Sequence, residues 1–275
     1  MFGQKKKLGA QVISLGKGKF RAVIYDGGLP GAGWNGKKKT ILSGETKDGS
    51  TKFSGKRFTA SIVGERFFGT DDDNVGFEMS KTHRKSKTQG AKPPKGAVVL
   101  FDGKNTDSLS EGKIEADGFL GVPARTKLKM KDFTLHLEFR TPFMPFSRGQ
   151  GRGNSGMYLL DQYECQILDS FGLEGEDNEC GGIYKIAKPK VNMCLPPLSW
   201  QTYDVEFRAA RFGADGKKTE NATATIKHNG VVIHDKLKLP HATPGGGQQD
   251  EKPGSLFLQN HGNPVRFRNI WVLVN

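Results

Sequence analysis

The chain has 275 residues, a net charge of +13, 37 glycines and 13 prolines, and 35% of its residues are hydrophobic. That length suffices for one large domain or two modest ones, and the glycine and proline content favours many short strands over long helices. No stretch approaches the roughly 18 apolar residues of a membrane-spanning helix, and the basic start MFGQKKKLGAQVISLGKGKF has no apolar run behind it, so no export signal is expected in this chain.

In chain order, QVISLGKGKFRAVIY predicts two apolar strands around a Gly-Lys-Gly turn. GGLPGAGWNGKKK has loop chemistry, and FTASIVG, RFFGT and VGFEMSK predict further short strands. Residues 1–80 therefore read as a small N-terminal β domain, an accessory unit in which no nucleophile is grouped with a base. HRKSKTQGAKPPKG is basic, lacks large apolar residues and holds two adjacent prolines, so 81–96 reads as a linker.

AVVLFDGK opens a second domain, 97–275, which alternates with period two again and again. In FTLHLEFR, Leu135, Leu137 and Phe139 share one face, with His136, Glu138 and Arg140 on the other. Met157 and Leu159 oppose Asn154 and Tyr158. Tyr163, Cys165 and Ile167 oppose Glu164 and Gln166, and Tyr203, Val205 and Phe207 oppose Asp204 and Glu206. TIKHNGVVIH is a hairpin with an Asn-Gly turn. GSLFLQNHGNPVRFRNIWV reads as two strands around Gly-Asn-Pro, with Leu256, Leu258, Val265 and Phe267 inward and Gln259, His261, Arg266 and Arg268 outward. No long amphipathic helix interrupts them. The expected class is all-β, a two-sheet antiparallel sandwich behind a small β domain.

The positive charge sits in Lys5–Lys7, Lys37–Lys39 and the linker. Basic residues are not interleaved with stacking aromatics, and no helix-turn-helix or zinc-finger spacing occurs, which argues against nucleic acid as a partner. Cys165, Cys180 and Cys194 are too few for a disulfide scaffold. Cys165 falls in a strand pattern and is expected to be buried; Cys180 and Cys194 flank one excursion and would pair only in an exported chain. Glu138, Glu164, Asp169 and His261 are types that ligate a divalent metal, but no spacing motif fixes one, and GLEGEDNECGG lacks the spaced pattern of an EF-hand.

The strands at 133–140, 154–160, 163–168, 256–261 and 265–268 each offer a polar face rich in groups that grip hydroxyls. On one sheet they would line a groove holding Glu138, Arg140, Asn154, Tyr158, Glu164, Gln166, Gln259, His261, Arg266 and Arg268; on separate sheets they would be ordinary solvated faces. Asp169 ends its strand and would have to turn to reach that groove.

VLFDGK, LHLEFRT, GNSGMYL, YECQILDS, GGIYK, HNGVVIHD and LQNHGNPVRFRNIWV, in order over 97–275, resemble the 3-keto-disaccharide hydrolase family. The resemblance implies a concanavalin-like jelly roll whose concave face binds carbohydrate, cleavage of 3-keto-glycosides, and an exported or periplasmic protein. A ketone at C3 acidifies the C2 proton, so a base can form the enolate, the C1–oxygen bond breaks by elimination, and water adds to the enone. That route needs one base near neutral pKa rather than the two spaced carboxylates of ordinary glycosidases. His261 and Glu164 are the candidate proton-transfer groups; Glu138, Arg140, Asn154, Tyr158, Gln166, Asp169, Gln259, Arg266 and Arg268 are candidates to hold an oxidised disaccharide or glycoside. The alternative is a carbohydrate-binding module on the same sandwich. A buried base with a shifted pKa would favour the enzyme.

Overall fold

The structure is a computed structural model that describes residues 7–275. The chain divides into two compact units: one of residues up to Arg84 with Met144–Ser147, the other of Lys85–Phe143 with Arg148–Asn275.

The first unit holds β1 (Leu8–Gly16), β2 (Lys19–Asp26), β3 (Lys39–Lys47), β4 (Ser50–Ser54), β5 (Phe58–Val63), β6 (Arg66–Asp71) and β7 (Gly76–Ser80). They follow one another in a single antiparallel meander. Alternation places Ala22 and Ile24 of β2 on one face, where they meet Leu42, Phe53, Phe58 and Phe67 in a core of edge-packed rings.

The second unit holds β8 (Val98–Phe101), β9 (Leu109–Glu111), β10 (Ala124–Thr126), β11 (Phe133–Arg140), β12 (Ser155–Leu159), β13 (Tyr163–Ile167), β14 (Gln201–Arg208), β15 (Arg211–Phe212), β16 (Lys218–Glu220), β17 (Ala222–His228), β18 (Val231–Leu239), β19 (Phe257–Leu258) and β20 (Arg266–Val274). A five-stranded sheet in the order β13-β12-β19-β10-β9 faces a six-stranded sheet in the order β18-β17-β14-β11-β20-β8, and β15 pairs with β16 alone. Asn229 and Gly230, both with positive φ, make the tight turn between β17 and β18. The expected all-β sandwich is what forms. One contiguous core joins the sheets: Leu135, Leu137 and Phe139 from one side meet Met157, Leu159, Cys165 and Ile167 from the other.

Two local expectations change. The terminal segment is not a hairpin, because β19 lies in the five-stranded sheet and β20 in the six-stranded one. The basic stretch read as a linker is, from Lys85, laid on the outer face of the six-stranded sheet. Its short polar side chains and backbone supply the contacts: Thr88 Oγ1 donates to Asp204 (2.6 Å), Gly90 N–H to Glu138 (2.5 Å), and Ala91 O accepts from Asn269 and Trp271 (3.1 Å each).

Beneath that segment His136 is fully buried, its Nδ1 2.6 Å from Asp204 and its ring stacked on Trp271. Burial alone would lower its pKa, but Asp204 and Glu138 outweigh burial and leave it raised. A His held above its unfolded value of 6.5 adds stability that is complete below that pH and is lost as pH rises through the folded value. Denaturant unfolding should therefore show the parent losing stability relative to His136→Gln, which lacks this titration, as pH rises above 6.5. Parallel curves for the two proteins would refute an imidazolium here.

Candidate active site

The outer face of the five-stranded sheet has a floor at Gly156. Cross-strand pairing sets Gly156 opposite Gln166 and Tyr158 opposite Glu164, and Gln259 donates its backbone N–H to Gly156 O. Asn154 and Tyr158 flank the glycine along its own strand, since residues two apart share a face. A Cβ at position 156 would come within 2.5 Å of Glu164 Oε1 and 3.0 Å of the Tyr158 ring. Glycine is thus what allows five polar side chains to converge on one depression.

Glu164 is 4% exposed. Burial drives its carboxyl up, a hydrogen bond from Tyr158 OH (3.0 Å) offsets part of that, and the result is about 7. Burial and the neighbouring Glu164 charge raise the Tyr158 phenol, so it stays a donor. Gln259 Nε2 donates to Tyr158 OH (3.3 Å), and Asn154 Nδ2 donates to the backbone and side-chain oxygens of Gln150. The amide oxygens of Asn154, Gln166 and Gln259 are buried and accept no hydrogen bond. Three unused acceptors around one neutral-range carboxyl suit a ligand rich in hydroxyl donors.

Sequence reasoning missed several residues here. Thr243 Oγ1 accepts the Glu164 backbone N–H (2.8 Å), and Gly245, with φ of +81°, lies so close to Tyr158 OH that a Cβ would sit 2.9 Å from it. The glycine run in TPGGG was the available signal for such a close backbone approach. Tyr184 donates its backbone N–H to Glu164 O, and nothing in its local pattern marked it.

Four other sequence candidates are placed elsewhere. Glu138, Arg140, Arg266 and Arg268 lie on the outer face of the six-stranded sheet, across the core from Glu164, so the expected single groove is not formed. Glu138 is buried, and burial would raise its carboxyl, but bonds from His136, Asn269, Gly90 and Arg268 hold it at about 2. Asp169 is paired with the buried Arg152 (2.6 Å). His261 is exposed on the connection between β19 and β20. The four candidate metal ligands are therefore not gathered. Among the described residues the acidic cluster is Asp71–Asp73 in the first unit, where Asp71 already accepts backbone N–H groups of Asp73 and Val75. All three cysteines are buried free thiols; Cys180 Sγ meets Tyr203 OH (3.3 Å), and Cys194 Sγ donates to the backbone oxygens of Leu168 and Leu195.

Comparison with known proteins bears on this arrangement. A family model described as a 3-keto-alpha-glucoside-1,2-lyase-like domain matches residues 96–273. A crystal structure of a "putative glycosyl hydrolase" from Parabacteroides distasonis is 32% identical, with 66% of this chain and 85% of that one covered at a TM-score of 0.60. A second structure of the same description from that organism is 19% identical over 66% of this chain and 94% of its own, with a TM-score of 0.46. No curated protein matches the chain.

Proposed function

The chain belongs to the family of the 3-keto-alpha-glucoside-1,2-lyase-like domain, and on that premise we propose that the Glu164 depression cleaves 3-keto-glycosides by elimination followed by hydration. The general class, a carbohydrate hydrolase or lyase, is supported by the family and by the neighbour's description. The finer reading is supported by one observation above all: a buried carboxyl at about 7, ringed by amide oxygens that have no partner.

In this reading Glu164, ionised, takes the proton from C2 of the bound keto-sugar. The electron pair moves to the C3 oxygen as an enolate and then expels the C1 substituent, whose oxygen takes up a proton. Water adds across the resulting C1–C2 double bond. The free amide oxygens of Asn154, Gln166 and Gln259 accept from sugar hydroxyls and orient the ring over Gly156. Tyr158, held as a donor, keeps Glu164 aimed. His261, on the exposed loop that follows Gln259, is proposed as the second proton-transfer group, since an imidazole can both take and return a proton. A shifted base in a polar depression favours an enzyme over a binding module.

Incubation with 3-keto-trehalose or 3-keto-glucosides, with and without chelator, should release free sugar. Failure to turn over any keto-glycoside while binding it would leave a binding module. Tyr158→Phe removes the bond that lowers the Glu164 carboxyl, so the midpoint of the pH–rate profile should move above about 7. An unmoved midpoint would mean that Glu164 is not the titrating group.

A further inference from the structure

We propose that the outer face of the six-stranded sheet carries a second ligand site, in which Arg140, Arg266 and Arg268 on a Phe119–Trp200 platform take the oxyanion of an acidic saccharide. It lies across the core from Glu164 and rests on its own side chains.

Arg140 and Arg266 are directly opposed across β11 and β20. Like charges in that position repel, so a solvated sheet would avoid the pairing. Arg268 follows on the same face. Among the described residues two carboxylates answer the three guanidiniums. Asp117, in the exposed turn before Phe119, is 3.2 Å from Arg140 Nη2 and 3.1 Å from Arg266 Nε. Glu138 accepts Arg268 Nε at 2.7 Å but is already engaged by Asn269 and Gly90. Each guanidinium has five donors. Beyond these bonds and one from Arg266 to Val265 O, the three offer further donors that meet no acceptor among the described residues.

These forks are held in place. Arg268 stacks 4.1 Å from the centre of Trp200, and Arg140 lies 5.1 Å from Trp200 and 5.0 Å from Phe119. The two rings meet edge to face at 4.8 Å. Stacked guanidiniums are pre-organised for bidentate oxyanion recognition. The side chains of Arg140, Arg266 and Arg268 remain 25%, 19% and 31% exposed, so the donors are reachable. Half-buried aromatic rings beside them give apolar surface for the C–H face of a sugar. A carboxylate or sulfate on such a ring would complete the charge balance that Asp117 and Glu138 leave short.

Calorimetric titration of the full chain with D-glucuronate tests this, with D-glucose and inorganic sulfate as comparison ligands. Glucuronate should bind saturably, glucose should not, and sulfate should compete more weakly than glucuronate binds. The Arg140→Gln/Arg266→Gln double variant should weaken glucuronate binding by more than about tenfold, the loss of charge-assisted bonds. Asp117→Asn removes the internal competitor and should tighten binding by about two- to fivefold, a gain that misfolding cannot produce. Glu164→Gln should leave this binding unchanged. Glucuronate binding no better than glucose, or no tightening in Asp117→Asn, would overturn the site. Sulfate binding as tightly as glucuronate would overturn the saccharide assignment.

Discussion

Glu164→Gln is expected to reduce turnover of a 3-keto-glycoside by about 10²–10⁴ while leaving sugar affinity nearly intact, because it removes a proton acceptor without changing shape. The parent's rate should rise with pH as the carboxyl ionises around 7. The same substitution should carry an opposite effect on stability. A carboxyl whose folded pKa lies above its ordinary 4.5 favours the folded state most below that value, and this contribution is lost as pH rises through about 7. At pH 8 the parent buries a charge that Gln does not, so the variant should melt several degrees higher; at pH 4 the two should converge. Thermal melts at both pH values, beside single-turnover kinetics, check this pair of outcomes. A variant that retains full turnover would move the chemistry away from Glu164. A variant melting lower at pH 8 would mean that the carboxylate is satisfied by partners rather than strained by burial.

Asp169→Ala is expected to destabilise the second unit by about 3–5 kcal/mol, the cost of breaking a buried ion pair by removing one member. Arg152 and Asp169 are 7% and 1% exposed, with Nε 2.6 Å from the carboxylate. The double replacement Arg152→Met/Asp169→Leu should recover most of that loss, since both buried charges are then replaced by apolar side chains. Chemical denaturation of the parent, the single and the double variant closes the cycle. A single variant within about 1 kcal/mol of the parent, the range of exposed pairs, would show that the bridge is not desolvated. Recovery in the double variant would assign Asp169 to fixing the chain after β13.

Much of the fold was legible in the sequence. Alternation in FTLHLEFR, TYDVEF and YECQIL states which residues turn inward, and every one of Leu135, Leu137, Phe139, Tyr203, Val205, Phe207, Cys165 and Ile167 is in the core. Asn-Gly announced its hairpin because few other pairs accept positive φ at both positions. Glu164, Gln166, Tyr158, Asn154 and Gln259 were all named as candidates from their outward phase, and their side chains lie on one face of the five-stranded sheet.

Period two separates inside from outside but is silent on which outside. A sandwich has two outer faces, and the sheet a strand joins is set by pairing between residues distant in sequence. Leu258 and Phe267 both point to the core, from opposite sheets, so Gln259 and Arg266 point away from each other although seven residues apart. The same blindness hid the segment from Lys85: its lysines and prolines read as solvated, while Thr88, Gly90 and Ala91 satisfy buried groups of β11, β14 and β20. The sequence by itself determined the β class and the inward set, and it named Glu164 only as one of two candidate proton-transfer groups. Only the tertiary structure decided that Glu164 and the arginines belong to different faces, because burial, which sets the Glu164 carboxyl at about 7, exists only once strands from across the chain have met.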